Sequence, residues 1–484
     1  MRSASSSSGF AAAIAIACCA CGARTALRVE EGLAADASAG DSAVSDAKLE
    51  GDAPADVPPP TPCELALAGD PVPVLSFAGA TADASEIVVL SPGDDSHPAT
   101  IALKARNADA NMWHPEIHVA KLSVDTPWPS GVVVDKPLTL FAFEAHEWGQ
   151  MSHAPGTGSG LAMLWGYAGA LQDPESLRFR TFDTESWTPG ANVDVLMGNA
   201  TAIGLVPGRG VSSSGTAWEG EGYGAAWRGA YSADAGTQPY VAVLSSQGKI
   251  QLGPFAIASP SSYPGREGSL VWNGTSWLVT TSFSTCESVE PFCIPNTMVV
   301  YSWKPLSGAG AKESLQITAS FPTLPSNASP GVPHIAQYAG ITTVGWTERE
   351  AADADAPRTL RVVQIGLDGA PIKAPLTLAQ GVLPTGSIFL SSSELGVILM
   401  WPERGDTSVP PEQPGHYRMI VHHLAADGTQ LQLPIRIPTT RPEYYQGTFA
   451  ASISRPRGAL LAWSAVTKAD PNHGSIFLSR LDCK

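Results

Sequence analysis

Ser269-Leu270-Val271-Trp272-Asn273-Gly274-Thr275-Ser276-Trp277-Leu278-Val279-Thr280 reads as strand, turn, strand. Two apolar runs flank Asn273-Gly274, and both turn residues tolerate the positive φ of a two-residue hairpin. The same shape recurs with decay at Gly215 to Trp227, His334 to Trp346, Ser387 to Trp401 and Thr448 to Trp463, and Leu161 to Trp165 supplies another second strand. The tryptophans that close these second strands are Trp165, Trp227, Trp346, Trp401 and Trp463, with Thr280 in the remaining slot. Their spacing is about sixty residues, within the range of propeller and solenoid repeats.

A second marker counts the same units. Leu367-Asp368-Gly369 and Ala426-Asp427-Gly428 are turns between further strands, and related turns sit at Asp125, Asp183, Ser246, Ser307 and Asp482. Seven such turns fill residues 63–484. Units of this length with about four strands each predict an all-β fold, a seven-bladed β-propeller. The recurring tryptophan is then expected in the packing between blades.

The pattern resembles the Trp-Asn-Gly-x-x-(aromatic)-Leu-Val repeats of propeller proteins exported by myxobacteria and their relatives. The resemblance covers six of the seven units and implies architecture more than activity. The first unit, about 78–142, fits least, with Asn111-Met112-Trp113-His114 in place of the hairpin.

The last unit supplies only three strands, at Thr448 to Trp463 and Ser475 to Leu481. Gly69-Asp70-Pro71-Val72-Pro73-Val74-Leu75 resembles Gly369-Ala370-Pro371-Ile372-Lys373-Ala374-Pro375-Leu376 of a complete unit. The N-terminal strand is therefore expected to close the last blade. Cys63 precedes that strand and Cys483 follows Asp482, where the missing turn belongs, so a Cys63–Cys483 disulfide is expected to replace the turn. Cys286 and Cys293 are expected to staple one loop.

The N-terminus has a different composition. Arg2, the apolar run Phe10 to Ala17, and small residues up to Cys18, Cys19 and Cys21 form a targeting segment over 1–21. Ala20-Cys21-Gly22 resembles a lipobox, so lipid attachment is expected at Cys21, with Cys18 as the alternative; an ordinary signal peptide is the other reading. Residues 22–62 hold eight acids and three bases, a balance of 3 − 8 = −5, and end in Val57-Pro58-Pro59-Pro60-Thr61-Pro62. Such a stretch buries little and is expected to be a disordered, proline-stiffened tether. The whole chain carries −16, which argues against nucleic acid as partner. The body lacks an apolar run long enough to span a bilayer. Membrane contact is thus expected only through a lipid anchor, and the protein is expected in the cell envelope or secreted, as a monomer.

Alternating hairpins put the long second-to-third loops on one face and the tight third-to-fourth turns on the other. Several long loops are acidic, with Glu348, Glu350, Asp353, Asp355, Glu403 and Asp406. Loops on a rigid scaffold concentrate binding residues. Glu350, Asp353, Glu403, Arg404, Asp406 and His416 are the binding candidates. No Gly-x-Ser-x-Gly elbow, His-Glu-x-x-His helix or calcium loop is present. No cofactor is therefore expected, with calcium on the acidic loops as the alternative. His114 and His118 are the weak metal candidates, since histidines on strands are more often packing residues. The expected function is non-catalytic binding of a protein or glycan through the long-loop face. The alternative is a secreted hydrolase or lyase acting at the channel mouth.

Overall fold

The computed structural model describes residues 63–75, 83–91, 99–106, 115–123, 128, 133–134, 138–142, 152–155, 160–167, 176–183, 188, 190–197, 199–208, 222–230, 238–257, 263–284, 297–304, 315–322, 330–331, 333–349, 357–383, 388–393, 395–411, 413–440, 449–455, 458–466 and 474–484. All lie in one compact unit, Pro58–Lys484. The targeting segment, the tether, Cys18, Cys21, Cys286, Cys293 and His114 fall outside the described residues.

Every described element is a strand. Two short strands come first, β1 (Leu65–Leu67) and β2 (Val72–Leu75). Sheet one holds β3 (Asp83–Ser91), β4 (Ala99–Arg106), β5 (Pro115–Ser123), β6 (Val133–Val134) and β7 (Leu138–Ala142). Sheet two holds β8 (Ser152–Pro155), β9 (Gly160–Tyr167), β10 (Ser176–Asp183) and β11 (Val193–Met197). Sheet three holds β12 (Asn199–Gly208), β13 (Gly222–Ala230), β14 (Gln238–Ser245) and β15 (Ile250–Ala256). Sheet four holds β16 (Tyr263–Trp272), β17 (Trp277–Ser284), β18 (Thr297–Trp303) and β19 (Gln316–Pro322). Sheet five holds β20 (His334–Tyr338), β21 (Ile341–Arg349), β22 (Arg358–Ile365) and β23 (Leu376–Val382). Sheet six holds β24 (Phe389–Ser393), β25 (Gly396–Arg404), β26 (Tyr417–Leu424) and β27 (Ile435–Thr439). Sheet seven holds β28 (Phe449–Arg455), β29 (Gly458–Val466) and β30 (Gly474–Cys483), together with β1 and β2.

Within each sheet the pairing is antiparallel and, apart from β7 on β5 and the N-terminal β1 and β2 on β30, follows chain order, as in a propeller blade. First strands neighbour one another in succession: β3, β8, β12, β16, β20, β24, β28 and back to β3. Apolar side chains then fill the space between consecutive sheets. One cluster joins Leu164 and Phe179 of sheet two to Tyr223 and Trp227 of sheet three. Another joins Leu360 and Val362 of sheet five to Trp401 and Ile420 of sheet six. Trp165, Trp227, Trp346, Trp401 and Trp463 are all buried, at 2% exposure or less. The repeated tryptophan is core between sheets, as its spacing predicts.

The Asp-Gly turns meet two demands at once. Gly369 and Gly428 hold φ of +83° and +79°, a left-handed conformation that favours glycine. Each also seats against the preceding sheet, Gly369 on Thr318 of sheet four and Gly428 on Gln364 of sheet five, where a Cβ would collide. Asn273 plays a related part. Its Oδ1 accepts the Thr275 and Ser276 amides, and its Nδ2 donates to the Leu367 carbonyl of the next sheet.

Sheet seven is completed from the N-terminus. β1 pairs with the end of β30 through Leu65↔Cys483, Ala66↔Asp482 and Leu67↔Leu481. β2 pairs with its middle through Val72↔Leu478 and Pro73↔Phe477. The expected single strand is thus two short ones, separated by the Gly69–Pro71 bend. The Cys63–Cys483 disulfide is present, with Cα atoms 5.4 Å apart. Gln432 of sheet six adds a clamp: its side-chain amide accepts the Leu65 N–H at 2.5 Å and donates to the Leu65 carbonyl at 2.7 Å.

Candidate functional site

Antiparallel order places the second-to-third loops at one end of each sheet. The loop between β25 and β26, residues 405–416, is described except for residue 412. It is built, not loose. The Gly405 amide donates to the His416 carbonyl and the Asp406 amide to the Gly415 carbonyl, extending the hairpin beyond the strands. Asp406 then turns the chain: its Oδ1 accepts the Ser408 amide at 2.9 Å and the Ser408 hydroxyl at 2.6 Å. Short polar side chains favour this local bond over a continued ladder. The Val409 amide donates to the Asp406 carbonyl, and His416 Nδ1 bonds the Val409 carbonyl. Gly415, at φ +105°, donates to the Thr439 carbonyl and ties the loop to β27.

Asp406 is held below the usual carboxylate range, first by the Ser408 hydroxyl and amide, then by the charges of Arg418 and His416. Of the binding candidates, Glu403, Asp406 and His416 gather at this end of sheet six. Glu403 lies directly across from Arg418, and Arg404 across from Tyr417. Arg404 is exposed and, by strand alternation, lies on the opposite face from Glu403. Glu350 and Asp353 fall outside the described residues. His118 is described only as backbone, paired with Leu103 and Thr139 in β5. Among the described residues there is no group of three or more His, Cys, Asp or Glu side chains placed to hold a metal.

Glu348 corrects its reading as a loop acid. It belongs to β21 and is 4% exposed. Its Oε1 accepts the Trp346 indole N–H at 3.0 Å, and its Oε2 accepts Arg361 Nε at 3.3 Å. Arg361 also donates to Thr377 Oγ1 at 2.7 Å. This closed triad sits between sheets four and five and is a structural ion pair.

Sheet six repeats the pattern in an open form. Trp401 and Glu403 stand where Trp346 and Glu348 stand in sheet five. The arginine, however, is Arg436, on the fourth strand opposite Ile420, whereas Arg361 lies on the third strand opposite Trp346. From there it draws the Glu403 carboxylate outward, with Nε 3.9 Å from Oε1. The buried Trp401 Nε1 is left without an acceptor. The His422 ring lies 4.8 Å from that of Trp401, and its Nδ1 is likewise buried without a partner. Burial, with the Arg436 charge, pushes His422 down to about 4. Sequence reasoning found Glu403 but missed Trp401, Arg418, His422 and Arg436 as site residues. The repeated Trp-x-Glu at 346–348 and 401–403 was the signal available.

The geometry defines an all-β, propeller-type protein. No protein-family model matches the chain, and no curated protein matches it. Several solved structures resemble it. A protein of unknown function from Dyadobacter fermentans is 12% identical, covering 70% of this chain and 95% of its own, at a TM-score of 0.45. The β-propeller domain of the Trilobed protease from Pyrococcus furiosus is 8% identical, covering 83% and 94%, at 0.44. The α-L-arabinanase of Penicillium chrysogenum, complexed with arabinobiose, is 10% identical, covering 87% and 99%, at 0.39. Likeness at this level bears on neither activity nor ligand.

Proposed function

We propose that residues 63–484 form a seven-bladed β-propeller that binds a protein or glycan, without turnover, through its long-loop face. The seven sheets and the cyclic succession of their first strands support the blade count. The observation that carries the binding reading is the internally bonded 405–416 loop at the second-to-third end of sheet six. That end also carries the connections 168–175, 231–237, 285–296, 350–357 and 467–473. The opposite end mixes close turns such as Asn273–Ser276 and Ala339-Gly340 with connections of similar length, 209–221 and 304–315. The 405–416 loop is internally braced on a disulfide-closed scaffold, which lowers the ordering cost of binding.

The chain acts in this reading as an exported lipoprotein, anchored at Cys21 and tethered by residues 22–62. The Cys63–Cys483 disulfide supports an oxidising compartment. Glycan and protein arrays probed with the purified chain test the function. Replacing 405–416 with a two-residue turn is expected to abolish the interaction found. Hydrolysis or elimination of a polysaccharide by the wild type, lost on Glu403→Gln, would establish the enzyme reading instead. Incorporation of labelled palmitate, lost on Cys21→Ala, tests the anchor.

A further inference from the structure

On its surface turned toward sheet five, sheet six assembles one group of polar side chains above the apolar seam between the two. The seam is formed by Leu399, Trp401 and Ile420 with Leu360, Val362 and Val382. One residue further toward the long-loop end in each alternating row come Glu403 and Arg418, directly paired across the strands. Arg436 lies beside them on β27, in the row of Ile420. Alternation puts Glu403, Arg418 and Arg436 on the same surface as Trp401.

These groups are differently committed. Among the described residues no hydrogen bond or ion pair engages Arg418, which lies beneath the loop that carries Asp406. Arg436 is 56% exposed and holds Glu403, 31% exposed, only at 3.9 Å. A half-exposed pair at that distance contributes little and is readily exchanged for a ligand. The floor differs in kind. The Trp401 indole N–H and His422 Nδ1 are 2% and 5% exposed by residue and lack partners. A buried donor left unmet destabilises the fold. In sheet five the same indole is satisfied by Glu348. Sheet six keeps an unmet N–H, as Trp227 and Trp277 do in sheets three and four, and adds two cations and one carboxylate on the same surface.

We propose that this polar group is a binding site for a carboxylate-bearing sugar, a uronic-acid unit of an acidic polysaccharide. The ligand carboxylate lies between Arg418 and Arg436, and a hydroxyl next to it donates to Glu403. Planar guanidinium groups match a carboxylate through paired N–H donors. Glu403 selects a ligand that also offers hydroxyl donors, which separates a uronate from a simple anion. In a chain of −16, an acidic ligand needs such a local cationic group, so binding is expected to weaken as salt rises. This inference deepens the long-loop binding reading and rests on it.

The test uses the purified full chain, with galacturonic-acid oligomers, neutral galactan oligomers and poly-glutamate as probes in titration calorimetry. Uronate oligomers are expected to bind, and galactan not. Arg418→Gln and Arg436→Gln are each expected to weaken binding by about tenfold or more, the value of a charge-assisted bond. Lys373→Gln, a surface cation at the opposite end of sheet five, is expected to change nothing. Glu403→Gln serves where an arginine variant fails to fold, and is expected to weaken uronate binding with stability unchanged. Equal binding of galactan, absence of uronate binding, or full binding by both arginine variants would overturn the site. Preference for poly-glutamate would overturn the sugar assignment. The two readings part company in the loop-replaced protein. If another ligand is lost there while uronate never binds, the long-loop function survives and this site falls. If uronate binding survives loop replacement but not Arg418→Gln, the site stands and the long-loop reading falls.

Discussion

Sheets five and six carry the same three-residue motif and use it in opposite ways. Trp346-Thr347-Glu348 is closed: the carboxylate is buried and engaged by an indole and a guanidinium. Trp401-Pro402-Glu403 is open: the carboxylate faces outward and the indole N–H is unmet. The difference traces to one arginine. On the third strand, beside the tryptophan, it folds the glutamate inward; on the fourth strand it pulls the glutamate out. A repeat that holds the core together in one blade thus becomes an exposed polar group in the next.

The contrast can be broken at several points. The largest effect is expected from the ring as a whole. Replacing Cys63 and Cys483 with Ala removes a link across 420 residues, and chain-entropy reasoning puts the loss at up to about 5 kcal/mol. Equilibrium unfolding in guanidinium reads it. The gap between the two glutamates should persist in that background, because neither belongs to sheet seven. Next comes that gap. Glu348→Ala is expected to cost about 2 kcal/mol, since it strands a buried indole N–H and leaves a partly buried guanidinium without its carboxylate. Glu403→Ala is expected to stay within about 0.5 kcal/mol, as an exposed pair should. Equal losses would mean the two sites are not different in kind.

Acid should act on both sheets, because burial holds His334 of sheet five down at about 4 and His423 of sheet six below its usual value. The His422 value of about 4 in the folded chain lies below an unfolded value near 6.5, so the native state resists protonation. Stability is full above pH about 6.5 and falls as the pH drops toward 4, by up to about 3 kcal/mol for this residue. His422→Phe is expected to remove its share of that slope in urea titrations at pH 7 and pH 4.5, and to leave the share of His334 in place. The smallest and sharpest test is Trp→Phe in both sheets. Trp346→Phe is expected to lose about 1 kcal/mol with its hydrogen bond, whereas Trp401→Phe is expected to lose less or gain, because it removes an unmet donor. Thermal melts of the pair suffice.

The sheets were legible because their markers are doubly constrained. Gly369 and Gly428 answer to φ and to the neighbouring sheet together, so the Asp-Gly signal survives in the sequence. The repeated tryptophan survives in five units because it fills the space between consecutive sheets. Ring closure was legible because Gly69–Leu75 copies Gly369–Leu376; that it splits into β1 and β2 was not, since the bend depends on packing against β30. The site was half legible. Composition treats Glu348, Glu403 and Asp406 alike as loop acids. Structure makes one a buried ion pair, one an exposed partner of Arg436, and one the acceptor of a local turn. Which surface of a strand faces which neighbour decides this, and that is a tertiary property. Arg418 and Arg436 read in sequence as ordinary strand arginines for the same reason.

The joining of first and last strands also sets an order of events. A ribosome extends a chain at about 5–20 residues per second, so Cys63 is made roughly 20–80 seconds before Cys483, the partner 420 positions away. Cys286 and Cys293 appear in the interval. In the oxidising compartment that the proposed export implies, the thiols at 286 and 293 meet the oxidant before Cys483 does, so the 63–483 pairing is the last that can form, and the yield of native protein is expected to rise when a thiol-exchange catalyst is supplied.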